Sequence, residues 1–151
     1  MLSQRQYLKI VRFSAWSDVI MTGGFVTPWS FSAIYAALAA IASEFSLAGS
    51  VPDFDPLHML IANQLGIVIM LWVVVRLRNT RAEYGRYDAI ARFISCVCQV
   101  FAVANGASVL ILGFTAVEFV MASLQCLPYQ AVTDGGAEST LGSQAREHIG
   151  S

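Results

Sequence analysis

The chain has 151 residues, of which 56% are apolar and only 13% charged, with a formal net charge of −1 at pH 7. Soluble domains carry about a quarter of their residues charged, and one of this length could not hide so much apolar surface from water. The near-neutral balance leaves no basic stripe to meet phosphates, so no nucleic-acid partner is expected.

Arg5, Lys9 and Arg12 precede an apolar run in a way that resembles a signal peptide. Asp18 interrupts the run and no A-x-A site follows closely, so the expectation is a retained first membrane segment. Residues 10–45 are one long apolar region broken near 23–28 by Gly23, Gly24 and Pro28. As a single straight helix it would reach about 50 Å, too long for one crossing. Thr27 followed by Pro28 reads as an N-cap and first helical residue, so a second helix starts there. Either half could cross while the other lies along an interface, or both could cross.

Glu44 to Asp55 is a short acidic loop in which Asp55 and Pro56 are placed to cap and start the next helix. From Leu57 to Leu77 the chain is almost wholly apolar, with no acid or base before Arg76. At about 1.5 Å of rise per residue this run spans roughly 30 Å, the thickness of a bilayer's hydrocarbon core. It lacks the alternation of barrel strands, so a transmembrane helix over about 56–77 is expected, with Trp72 as an inner-leaflet anchor. The basic stretch RNTRAEYGRY then forms an inner loop with a tight turn at Gly85. A third span over roughly 86–104, an Asn105-Gly106 turn and a fourth span over 107–126 follow. Residues 131–151, polar and rich in Gly and Ser, read as a disordered cytoplasmic tail.

The lysine and arginine pattern sets the topology. Bases cluster before Phe13 and after Val75, with none between. By the positive-inside rule both clusters face the cytoplasm, so one crossing precedes the acidic loop and the total is four, with both termini inside. The fold class expected is all-α: an integral membrane four-helix bundle with an additional short or kinked helix in the N-terminal segment.

Ionisable groups inside a bilayer are costly, which puts Asp18 and Glu118 first among candidate functional residues, for ligand binding or as catalytic acids. A carboxyl at that depth must find a donor or be protonated; the plainer reading is a hydrogen bond to a neighbouring helix. Asn63 and Gln64 cannot share one helix face, and Asn63 with Gly66 suits either a ligand contact or close helix packing. Asp88 and Arg92, spaced i, i+4, share a face and could form, with Arg78 and Arg81, a cytoplasmic mouth for an anionic ligand; the plainer reading is topology signal, helix capping and contact with anionic headgroups, which explains nearly all of the cluster. Cys96, Cys98 and Cys126 are odd in number and sit in or beside apolar runs, as small buried thiols would. Cys96 and Cys98 are about 200° apart around a helix, and His58 and His148 are isolated, so no metal and no cofactor is expected. Nucleotide-binding and hydrolase motifs are missing.

An Arg and an acid in the first apolar segment (Arg12, Asp18), N-x-x-G at Asn63–Gly66, a basic inner loop and an acid in the last span (Glu118) give a layout that resembles the small DoxX-like and BphX-like bacterial membrane proteins over about residues 8–127. The resemblance implies a bacterial inner-membrane location rather than an activity. The expected function is accessory or transport-related and non-enzymatic, with membrane lipids as partners and a homo-oligomer or larger membrane complex built through Gly66, Gly106 and Gly113. The alternative is a membrane-embedded enzyme acting on a lipid or isoprenoid by acid catalysis, isomerase- or cyclase-like, with aromatic walls such as Trp16, Phe25 and Tyr35. Convergence of Asp18 and Glu118 on an enclosed apolar pocket open only to lipid favours the enzyme; a hydrated path across the bundle favours transport.

Overall fold

The computed structural model describes residues 1–51 and 53–130; the tail expected over 131–151 lies outside them. Its helices are α1 (Gln4–Thr22), α2 (Pro28–Glu44), α3 (Pro56–Arg78), α4 (Ala82–Ala104) and α5 (Ile111–Gln125), with one 3-10 turn at Gly23–Phe25 between the first two. Capping chemistry sets several of these boundaries. Ser3 and Gln6 form a reciprocal capping box at the start of α1. The Thr27 hydroxyl accepts from the Ser30 N–H ahead of α2, and the Asp55 carboxylate accepts from the His58 N–H ahead of α3. Both helices carry proline in the first turn, where its missing N–H costs nothing.

Helices α3 and α4 are each long and apolar enough to cross a membrane, and α1 with α2 would make a third such segment if the pair, bent by 98°, counts as one. Helix α5 is apolar but has only 15 residues, about 22 Å. Helix therefore covers less of 107–126 than the sequence suggests. Residues ahead of Ile111 are held by the α2–α3 loop instead: Ser50 N–H donates to Gly106 O at 2.9 Å, Ser108 N–H to Ser50 O at 3.1 Å and Val109 N–H to Ala48 O at 2.9 Å. Asn105-Gly106 does make the α4–α5 turn, with Gly106 at φ +99°.

Gly85 is not a turn. Helix α4 already starts at Ala82, and Gly85 is a point of close approach: a Cβ there would lie 2.7 Å from Val11 Cγ2 and 2.8 Å from the Tyr7 hydroxyl. The connection after α3 thus shrinks to residues 79–81.

Two short strands, β1 (Leu2–Ser3) and β2 (Tyr129–Gln130), pair in parallel and bring the start of α1 beside the end of α5. Gln4, Thr80, Arg81 and Tyr129 line one cleft there, so the α3–α4 turn lies at the same end. The basic residues before Phe13 and after Val75 therefore gather at one end, while Glu44, Asp53 and Asp55 belong to the loop bridged to Ala107 at the other.

The radial arrangement inverts that of a water-soluble protein. Buried stripes at helical spacing carry the polar groups: Ser14 and Asp18 on α1, Asn63 and Arg76 on α3, Asp88 and Arg92 on α4. Large aliphatic residues cover the outside, with Ile20 80% exposed and Val97 70% exposed. Only an apolar surrounding makes that pattern favourable, and it agrees with a membrane protein. Cys98 and Cys126 belong to this outer surface rather than to the interior expected for them; Cys96 alone is buried.

The Asp55 cap yields a measurable pH dependence. Its carboxyl sits below the usual aspartate range because it accepts hydrogen bonds from the His58 N–H and imidazole. A group whose folded value is depressed stabilises above its unfolded value, about 3.9, and that contribution is lost as pH falls through the folded value. Asp55→Ala is therefore expected to lower the thermal midpoint in detergent at neutral pH, with the difference from the parent chain vanishing in strong acid. An equal difference at both pH values would show that the carboxylate is not the cap.

Candidate functional site

Four charged residues meet inside the bundle. Asp18 of α1, Arg76 of α3, and Asp88 and Arg92 of α4 are each less than a tenth exposed, and Arg76 is fully buried. Arg76 donates through Nη2 to Asp18 and through Nη1 to Asp88 Oδ2 at 2.7 Å. Arg92 donates through Nη2 to Asp18 and through Nε to Asp88 Oδ2 at 3.1 Å. Each guanidinium thus bridges both carboxylates, and two positive charges cancel two negative ones. In a low-dielectric interior such a set is stable only when its hydrogen bonds are also satisfied.

Neutral groups supply further hydrogen bonds, while Arg76 Nε and Gln125 Oε1 are buried without a partner among the described residues. Asp88 Oδ2 also accepts from Ser14 Oγ at 3.0 Å and Gln125 Nε2 at 2.8 Å, while Oδ1 accepts from Trp72 Nε1 at 3.3 Å. Trp72 therefore points its N–H into the cluster, and its ring lies 5.7 Å from the Arg76 guanidinium. The Tyr7 hydroxyl donates to the Gln125 carbonyl at 2.6 Å, holding α1 on the end of α5. Four helices, α1, α3, α4 and α5, are cross-braced through one polar knot.

Beside the knot is a cavity of about 460 Å³. Phe25, Phe31, Tyr35, Phe54 and Phe114 supply its aromatic walls, and Asp18, Arg92, Gln99 and Glu118 reach it as polar groups. Helix α2 contributes through Phe31 and Tyr35 because the bend after α1 folds it over the opening. Phe54 from the following loop packs against both, with ring centroids 5.0 and 4.6 Å away. Gln99 is held by donating to Ser95 Oγ at 3.0 Å and accepting from Thr115 Oγ1 at 2.6 Å. Glu118 differs from these: its Oε2 is buried and, among the described residues, has no hydrogen-bond partner.

The residues singled out from sequence separate into two groups. Asp18, Glu118 and Arg92 meet at the cavity, and Asp88 joins Asp18 and Arg92 in the knot. Asn63 stands apart: its Nδ2 donates to the Phe25 carbonyl at 2.8 Å, satisfying backbone left free where α1 ends. Gln64, its neighbour, is exposed, as the angle between adjacent helix positions requires. Arg78 and Arg81 are exposed and do not join the buried Asp88 and Arg92, so the four form no common mouth. Arg76, Ser14 and Trp72 were not foreseen as members of the cluster. Among the described residues no group of three or more His, Cys, Asp or Glu side chains is placed to hold a metal.

Fold and site together define an all-helical chain with two or three segments able to cross a membrane, an ion-paired interior and an aromatic cavity. No protein-family model, curated protein or solved structure matches it.

Proposed function

We propose that this is a small multi-span protein of a bacterial inner membrane, crossing four times with both termini cytoplasmic, that binds a lipophilic small molecule in a transport-related or accessory role. The observation that carries the ligand-binding part of this reading is the convergence of Asp18, Arg92 and Glu118 on an aromatic cavity large enough for a small organic ligand. The gathering of basic residues at one end supports the orientation. Helix α1 is then the first crossing, with α2 turned across the outer side. Helix α5 crosses with help from apolar Val109, Leu110 and Leu127 and a locally thinned bilayer.

A second reading, membrane-embedded acid catalysis of the isomerase or cyclase kind, is favoured by the same two carboxyls facing one apolar space. Asp18 is engaged by two guanidiniums, which leaves Glu118 as the proton donor in that case. Recovery of a bound compound unchanged after incubation supports binding; its conversion supports catalysis.

The test uses the full chain in non-ionic detergent and the neutral dye N-phenyl-1-naphthylamine. Dye fluorescence is expected to rise on binding the parent chain, and to be lost in Ala62→Trp, which fills the cavity from α3, with helical circular dichroism unchanged. Equal dye binding by both would remove the cavity as the site.

A further inference from the structure

We propose that the cavity takes a lipophilic organic cation, and that Glu118 is the residue that selects it. The inference rests on the cavity's being a ligand site and adds the charge of the ligand. It follows from charge accounting around the cavity. Asp18 and Arg92 both reach this space, but their charges are already cancelled within the knot by Arg76 and Asp88. Glu118 is the acid left over. No described Lys, Arg or His lies within ion-pair distance of it, and its Oε2 is buried with no donor among the described residues. An unmatched carboxylate in an apolar interior is among the costliest features a membrane protein can carry, and a bound cation removes that cost.

The walls point the same way. Phe31 stands edge-on to Phe25 and Phe54, at centroid distances of 5.5 and 5.0 Å, and Tyr35 stands edge-on to Phe54 at 4.6 Å. Rings crossed in this way turn π-faces in more than one direction, and a ring face attracts a cation most strongly where water is excluded. Aliphatic lining from Ala62, Leu65 and Ile69 adds apolar surface that an organic cation can cover and a hydrated inorganic ion cannot. A bulky ammonium or phosphonium carrying aromatic or alkyl groups fits this combination; an anion would meet Glu118 unfavourably.

Tetraphenylphosphonium and tetraphenylborate have the same shape and opposite charge, which isolates the electrostatic part. Calorimetric titration of the full chain in non-ionic detergent is expected to give tetraphenylphosphonium binding that falls at least tenfold in Glu118→Gln, with partial retention in Glu118→Asp. Tetraphenylborate and the neutral dye are expected to bind Glu118→Gln no more weakly than the parent chain. If Glu118→Gln leaves tetraphenylphosphonium affinity unchanged while the dye still binds, the cation assignment is overturned and the cavity reading stands. If neither dye nor cation binds the parent chain, both fall.

Discussion

Asp88→Ala is expected to lower the unfolding free energy in detergent by about 3–5 kcal/mol, the range for removing one partner of a buried ion pair. The size follows from how much one carboxylate does. Asp88 Oδ2 takes hydrogen bonds from Arg76, Arg92, Ser14 and Gln125, on three further elements and its own. Without it, two guanidiniums share the single charge of Asp18, and the Gln125 and Trp72 donors are stranded in an apolar interior. Arg92→Ala on top of Asp88→Ala restores the charge balance, so the double variant is expected to be less destabilised than the two single losses summed. Thermal or denaturant unfolding of the three variants measures this. A loss under about 1 kcal/mol for Asp88→Ala would mean that the knot contributes little beyond what an exposed pair does.

Gly66→Val is the second change with a large expected effect. A Cβ at Gly66 would fall 2.7 Å from the Phe25 carbonyl carbon and 2.8 Å from its oxygen, and backbone cannot swing aside as a side-chain tip can. The Asn63 bond to that same oxygen would be strained as α3 moved away from the break after α1. Overpacking of this kind costs about 1–3 kcal/mol, and a β-branched side chain belongs at the upper end. Phe25 also lines the cavity, so dye binding should weaken with stability. Gly113→Ala is the control, because a Cβ there meets nothing within 4 Å and helix propensity alone favours alanine. Comparable losses at both positions would show that the close approach at Gly66 is not what limits the substitution.

Legibility from sequence differed by feature and had physical causes. The starts of α2 and α3 were readable at Thr27-Pro28 and Asp55-Pro56, since capping is decided within four residues. The start of α5 was not, because residues 107–110 are apolar enough for helix yet the N–H groups of Ser108 and Val109 donate to the Ser50 and Ala48 carbonyls instead. Gly85 misled for a related reason: glycine serves turns and close contacts alike, and the Tyr7 and Val11 side chains that require it are far away in the chain. The bond from the Trp72 N–H to Asp88 was not readable either, because the two residues are 16 positions apart on different helices.

What residues 1–130 determined on their own was the solvent and the ends: runs too apolar for water, caps at helix starts, and bases gathered away from acids along the chain. The bases in question flank the base-free acidic loop Glu44 to Asp55, although Glu83 and Asp88 lie among the second group; these are properties of composition and short-range order. Tertiary structure decided which charges neutralise one another. Asp18, Arg76, Asp88 and Arg92 come from three helices and up to 74 positions apart, and their pairing exists only once those helices pack. By the same packing Glu118 has no counter-charge among the described residues, because a side chain's neighbours in space are set by the fold rather than by the residues on either side of it.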